Sequence, residues 1–366
     1  MKFLILSLTE SPFEIRYLKK FYETSREINI ASDIYYYSYG NLLSEFIPSN
    51  QIIYDDLLND YVINKDFRLY DNFFKCANEK NANVIIPRVI HPEFLYSTIS
   101  ALENCPKISL SGYAFELFIR SSSRANIVKK ILEKKEVSGL MLHTIAGKDA
   151  KWPPSINLQD KLIKKIKLTS EPLFDSLSKY TGDKFKCRND LGLNDKKNII
   201  LFFGSMYPWK GADTLLDSLK FLKNNVHCIF AGNTQTYGSN LDKLNKENII
   251  LIDKPSDDLM YKLFHACDIV ICPYGPSYAY GTSSVCISSI LSSKPVVCPS
   301  IEPFVSVIEK YKCGELFTPN DHHSLSSAID KVFNEEKINK YSAHRDLFVK
   351  SINCWRNILD YHFKNN

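Results

Sequence analysis

Residues 198–222 read NIILFFGSMYPWKGADTLLDSLKFL. A buried apolar strand runs into Gly204, a turn carries Pro208, and a helix with Leu215, Leu216, Leu219 and Leu222 on one face begins after Lys210 and Gly211. A strand, loop and helix in this order set backbone N–H groups and a cation at the carboxyl edge of a parallel sheet, where anionic ligands bind. The spacing therefore predicts that Lys210 meets phosphate.

The same alternation of short apolar runs and helical patterns continues in both directions, which is the signature of βαβ units. In the first half the strand candidates are KFLILSL, DIYYYSY, NVIIPRVI, KISLSGY, GLMLHTI and a short IKLTSEP; the second half offers NIILFFGS, HCIFAGN, IILID, DIVICPY and KPVVCPS. Two successive α/β sets follow, separated by a polar, turn-rich stretch near residues 172–196. From about Ser324 to Phe363 the pattern is helical, with Leu325, Ala328, Ile329 and Val332 on one stripe.

A chain of 366 residues exceeds the usual size of one hydrophobic core, and 45% hydrophobic with 24% charged residues is the composition of a folded globular protein. The ten cysteines lack CxxC pairs, and several lie in apolar runs, so reduced core thiols are expected. A net charge of +5 without a recognisable basic motif gives no reason to expect nucleic acid as a partner. The apolar run at the N-terminus is too short for a signal peptide, and no window approaches a membrane span. The expected location is the cytoplasm.

With these patterns in place, the 198–222 segment resembles the loop of glycosyltransferase family four, whose pattern is Gly-Arg-x-x-x-x-Lys-Gly before a helix. Gly204, Lys210 and Gly211 match the family's Gly, Lys and Gly, and the resemblance implies that Lys210 contacts the donor diphosphate. Ser205 stands where the family has Arg. IILIDKPSDDLMYKLFHACDIVICPY (249–274) is similar to the next family segment, which implies that Asp253, Lys254 and Pro255 line the nucleotide base through backbone groups.

SYAYGTSSVCISSILSSKPVV (277–297) matches the region where the family carries Glu-x7-Glu. Anchored on Pro295, the two places fall on Tyr280 and Ser288; anchored on the glycine after Tyr280, they fall on Tyr278 and Cys286. The first register keeps the intervening helix at a fixed length and is preferred, but neither supplies a carboxylate. Gly281, Thr282, Ser283 and Ser284 offer a physical substitute, since small residues and hydroxyls at a helix start can cradle a diphosphate; Ser283 and Ser284 equally suit an ordinary N-cap. Gly314, Leu316, Pro319 and Asp321 sit on the family's closing pattern, and INCWRNILDYH (352–362) resembles its terminal helix, which implies that Trp355 returns to brace the first domain.

The first half resembles the family only faintly. Where the family commonly has a His after the strand equivalent to KISLSGY, this chain has Ser111, Gly112 and Tyr113. His91 and Glu10, each following a predicted strand, are the candidates for acting on substrate from that half. The sequence has no Asp-x-Asp, no Gly-x-Gly-x-x-Gly, no P-loop pattern and no His-Glu-x-x-His, so a metal-held diphosphate, a dinucleotide, a P-loop and a zinc protease lack sequence support. Two lysine-rich stretches, IVKKILEKKE (127–136) and KLIKKIKL (161–168), read as solvated faces, with attraction to anionic lipid at the inner face of the membrane as the rival.

The resemblance implies the GT-B plan, α/β with two Rossmann-like domains facing across a cleft: residues 1–172, with the C-terminal helix 350–366 packing back on them, for the acceptor, and residues 173–349 for the donor. It implies a glycosyltransferase that moves sugar from a nucleotide-diphosphate sugar to a glycan or lipid-linked glycan with retention, in cell-surface polysaccharide biosynthesis. No metal or further cofactor is expected. The rival readings are a nucleotide-sugar epimerase and a non-catalytic sugar- or nucleotide-binding scaffold.

Overall fold

The structure is a computed structural model and describes the chain except residues 1, 9–11, 90, 114–121, 155, 157–158, 194–197, 224, 245–246, 334–344, 353 and 365–366. The chain divides into two units, one of Met1–Lys148, Trp152–Phe174 and Asn353–Asn366, the other of Asp149–Lys151 and Asp175–Ile352.

The first unit is built on seven strands: β1 (Lys2–Leu6), β2 (Ile34–Ser38), β3 (Ile52–Tyr54), β4 (Ala82–Ile86), β5 (Ile108–Tyr113), β6 (Val137–His143) and β7 (Ile166–Thr169). Every pairing is parallel and the order is β3-β2-β1-β4-β5-β6-β7. A parallel sheet covered by helices on both faces needs apolar side chains on both sides of its central strands. Phe3, Leu4, Ile5 and Leu6 of β1 are accordingly all buried. β3 was absent from the sequence reading. It is three residues long and grades from buried Ile52 to exposed Tyr54, so no apolar run announces it.

The helix Trp355–Lys364 is part of this unit. Trp355, Ile358 and Leu359 enter the core beside Tyr17 and Phe21 of the helix Pro12–Glu27, and the Trp355 Nε1–H donates to the carbonyl of Leu173 at 2.6 Å. One turn on, His362 lies between two serines of β5, with Nδ1 2.7 Å from Ser109 Oγ and Nε2 2.9 Å from Ser111 Oγ. Burial, with His143 adding to it, pushes this imidazole down to about 3, so it stays neutral and can donate to one hydroxyl and accept from the other.

The second unit has six strands: β8 (Ile199–Phe203), β9 (His227–Gly232), β10 (Ile249–Asp253), β11 (Ile269–Ile271), β12 (Val296–Pro299) and β13 (Gly314–Phe317). They are parallel in the order β10-β9-β8-β11-β12-β13, the 3-2-1-4-5-6 arrangement of a doubly wound sheet. The helix Ala212–Ser218 after β8 packs through Leu215 and Leu216 on a core that includes Leu325, Ala328, Ile329 and Val332 of the helix His322–Phe333. Leu219 and Leu222 also pack there, although the helix has by then tightened into a 3-10 turn.

The 172–196 stretch forms a 3-10 turn (Leu177–Tyr180) and a helix (Lys184–Asp190). That helix is anchored by Asp268, which accepts from Lys184, from Arg188 at 2.8 Å and from the Ile199 N–H at 2.7 Å. All ten cysteines are free thiols, seven of them buried.

The lysine-rich stretches resolve into ordinary elements. Residues 127–136 lie mostly on the helix Ser122–Glu133, which buries Val128, Ile131 and Leu132. In 161–168, the Lys165 ammonium donates to the carbonyls of Lys134 and Val137 at 2.9 Å each. Among the described residues no helix is long and apolar enough to cross a membrane.

Candidate functional site

In a doubly wound sheet the loops after two neighbouring strands diverge where the strand order reverses, and that opening at the carboxyl edge is where ligands bind. In the second unit the reversal lies between β8 and β11. The two loops concerned are therefore Gly204–Gly211 and Cys272–Ser283, and their closeness is set by one glycine.

Gly211 has φ 73°, and a β-carbon placed on it would stand 1.8 Å from the carbonyl oxygen of Pro273. Only glycine permits both the left-handed backbone and this approach. The loops are also tied by the Gly275 N–H, which donates to the carbonyl of Trp209 at 2.9 Å.

Held in this way, Lys210 reaches across to the β11 loop. Its Nζ stands 4.3 Å from the centroid of the Tyr274 ring and 4.5 Å from that of Tyr278, and it donates to Tyr278 Oη at 3.3 Å. Burial lowers its pKa from the ordinary lysine value, and the nearby Cys272 opposes that shift. Tyr278 Oη donates in turn to the carbonyl of Thr282. Tyr274, fully buried, shares a hydrogen bond of 2.9 Å with Ser283 Oγ.

Ser283 is the N-cap of the helix Ser284–Leu291 and accepts from the Cys286 N–H at 3.2 Å. Its hydroxyl is thus occupied in the cap, a bond worth about 1 kcal/mol in helices generally. Ser284 is exposed and Gly281 and Thr282 are half-buried, so the start of this helix is not sealed in the core. Thr282 Oγ1 has no hydrogen-bond partner among the described residues, and neither has Asn233 Oδ1, just past β9. Two orphaned oxygens near the loops around β8 suit a polar ligand, since a buried polar atom left unpaired costs about 1–3 kcal/mol.

The other expected residues are placed as follows. Gly204 closes β8 with φ 116°, and Ser205 is half-buried on the same loop. Asp253, at the end of β10, is exposed, and its Oδ1 accepts from the Thr234 N–H at 3.0 Å and the Thr234 hydroxyl at 2.7 Å. Those bonds from Thr234 hold its carboxyl below the ordinary range. Lys254 has a left-handed backbone whose N–H donates to the Gly232 carbonyl at 2.7 Å, and half-buried Pro255 follows. The Asp253–Pro255 turn is thereby fixed against the end of β9.

Of the two registers across 277–297, it is Tyr278 that touches Lys210. Tyr280 also sits on the loop, with φ 61° and its N–H donating to the Glu302 carbonyl at 2.6 Å, and Ser288 is buried within the helix Ser284–Leu291. Tyr274 was not singled out in the sequence at all. The signal that could have found it is the strand order, which makes the residues just after β11 face those just after β8.

In the first unit the order reverses between β1 and β4. His91 follows β4 at that edge, with φ 48°, immediately before the helix Pro92–Ala101. Its Nδ1 lies 3.2 Å from Glu93 Oε1 and its ring 5.4 Å from Phe94. Glu10 lies outside the described residues. The buried Glu14 accepts from the Leu8 N–H at 2.5 Å, which orders the start of the loop after β1. Among the described residues no group of three or more His, Cys, Asp or Glu side chains could hold a metal ion.

Comparison with known proteins finds a family model that covers these loops. Residues 183–345 match the model of glycosyl transferases group 1. An uncharacterized glycosyltransferase of Methanocaldococcus jannaschii is 24% identical over 191 residues, which cover 48% of this chain and 46% of that protein. The putative teichuronic acid biosynthesis glycosyltransferase TuaC of Bacillus subtilis is 23% identical over 180 residues, 48% of this chain and 44% of that one. The chain thus spans a little under half the length of these curated relatives.

Among solved structures, Anabaena HepE in complex with UDP-glucose superposes with a TM-score of 0.71 at 17% identity, covering 100% of this chain and 98% of that one. At that identity the likeness establishes the fold. The chain has the two-domain GT-B fold, and its residues 183–345 match the model of glycosyl transferases group 1.

Proposed function

We propose that the chain is a metal-independent glycosyltransferase that binds a nucleotide-diphosphate sugar on its second unit and transfers the sugar to a glycan or lipid-linked glycan bound by its first. The observation that carries this reading is the Lys210 ammonium held at the strand-order reversal between β8 and β11, among the loops that the family model covers.

A diphosphate bound there places its negative charge against the ammonium. As the bond from sugar to diphosphate breaks, charge grows on the leaving oxygen, and a fixed cation close to it stabilises that state more than the ground state. The Asp253–Pro255 turn presents backbone groups to the base. A polar group of the first unit, with His91 foremost, orients the acceptor hydroxyl, and proximity supplies much of the remaining acceleration. HepE binding UDP-glucose makes UDP-sugars the first donors to test.

Retention of anomeric configuration, a place in cell-surface polysaccharide assembly and contact with an anionic membrane surface belong to the same proposal. The family match and the putative teichuronic acid role of the Bacillus relative support the polysaccharide reading.

A thermal-shift panel of nucleoside diphosphates and their sugars tests the reading, since the right ligand stabilises the folded chain by mass action. Lys210→Ala is expected to lose most donor turnover and the thermal shift while melting near the wild-type temperature. Turnover unchanged by that substitution would refute the site.

A further inference from the structure

Three charged groups that the family resemblance led one to expect here are replaced, Arg by Ser205 and two carboxylates by Tyr280 and Ser288 or by Tyr278 and Cys286. Lys210 is then the cation of the family's phosphate loop that this chain keeps. A free lysine side chain carries about 2 kcal/mol of rotamer entropy, which a ligand would have to overcome to fix it.

The structure shows what fixes it. Both tyrosine ring centroids lie within 4.5 Å of Lys210 Nζ, inside the cation–π range, and the two rings stand 4.2 Å apart at 38°. The hydroxyls are anchored too, Tyr278 to the Thr282 carbonyl and Tyr274 to the Ser283 cap. The ammonium is thereby linked from two sides to the beginning of the helix Ser284–Leu291, although Lys210 and Tyr278 are 68 residues apart in sequence.

The chemistry of the holder matters. A carboxylate would hold the lysine more firmly but cancel its charge and compete with the diphosphate. A ring face attracts the cation through its quadrupole and leaves the full positive charge available.

We propose that Tyr274 and Tyr278 are positioning residues for the donor diphosphate, forming an aromatic cage that keeps the Lys210 ammonium fixed but not neutralised. This rests on the reading of the second unit as the donor site. The cage takes over the ordering task, and Tyr278 contributes mainly through its ring.

The test is calorimetric titration of the full chain with inorganic pyrophosphate and with UDP, for the wild type, Tyr278→Phe, Tyr278→Leu, Lys210→Met and the Lys210→Met/Tyr278→Leu double variant. Tyr278→Phe keeps the ring and is expected to stay within about threefold of wild type, while Tyr278→Leu weakens pyrophosphate roughly tenfold. In the Lys210→Met background the Tyr278→Leu change is expected to cost nothing further, because the coupling runs through the ammonium.

Equal weakening by Tyr278→Leu with and without Lys210 would show a merely structural ring and overturn the proposal, as would wild-type affinity in Tyr278→Leu. Should leucine disturb the fold by circular dichroism, Tyr278→Met serves in the same cycle. A wild-type chain that binds neither probe overturns the donor-site reading itself. Loss of binding in Lys210→Met with no effect at Tyr278 overturns the cage alone.

Discussion

Substituting alanine at Gly211 tests whether the two site loops are held together by the absence of a side chain. The backbone there has φ 73°, which costs a residue with a β-carbon about 1–2 kcal/mol. The added carbon would stand 1.8 Å from the Pro273 carbonyl oxygen, and ordinary contact needs roughly 3.5 Å, so the loops after β8 and β11 must part by more than an ångström.

That movement breaks the Gly275–Trp209 hydrogen bond, worth about 1 kcal/mol, and draws Lys210 off its two rings, worth about 1 kcal/mol more. Gly211→Ala is therefore expected to destabilise the second unit by about 3–4 kcal/mol. Gly192→Ala is the control. That residue has φ 66°, but a β-carbon on it would meet nothing within 4 Å, so only the backbone cost of about 1–2 kcal/mol applies.

Native-state hydrogen exchange of the β8 and β11 amides reads both variants in the intact chain, without assuming that two units unfold in one step. Equal losses for the two substitutions would refute the close approach as the constraint. Pyrophosphate affinity should fall with Gly211→Ala and be untouched by Gly192→Ala.

Two further outcomes follow from buried charge. Burial tends to raise the Asp268 carboxyl, but the bonds from Lys184 and the Ile199 N–H, with the Arg188 charge, overcome this and hold it below the ordinary value; Asp268→Asn should destabilise the second unit by about 3 kcal/mol, read by native-state hydrogen exchange of the β8 and β11 amides at pH 7, and a loss under 1 kcal/mol would mean the pairing is dispensable. In the first unit, burial raises Glu171 to about 8 and lowers His143 to about 4 and His362 to about 3, so the folded state keeps all three neutral. The histidines lose stability as pH falls through 6.5, because only the unfolded chain takes up their protons; Glu171 loses it as pH rises from 4.5 toward 8, because only the unfolded chain releases its proton, at about 1.4 kcal/mol per pH unit. Protection of β5 to β7 should peak near pH 6.5, and Glu171→Gln should abolish the decline above it; a decline that persists would assign it elsewhere.

The strands that could be read from the sequence are those whose environment forces an apolar run. Ile199 to Phe203 and Val296 to Cys298 are buried almost throughout, and no alternation or charge interrupts them. β3 escaped for the reason that it is short and half-exposed. β13 escaped because only Gly314 and Phe317 of its four residues are buried, and its pairing with β12 depends on a glycine whose added β-carbon would stand 1.7 Å from the Val296 carbonyl oxygen. Neither fact has a periodic signature.

The site divides along the same physical line. Lys210 could be singled out because a local pattern, a strand end, a turn and a helix start, places it at the carboxyl edge of the sheet, all within fourteen residues of Asn198. Its ring partners were not, because they are brought from the other side of the strand-order reversal. Tyr274 follows β11 by three residues, and β11 neighbours β8 only once the sheet is assembled. A lysine held by ring faces keeps its positive charge, at the cost of partial desolvation that lowers its own pKa. The lack of carboxylates at the two motif places, which makes the site look poorly supported in the sequence, thus leaves the Lys210 charge open to an anion in the folded unit.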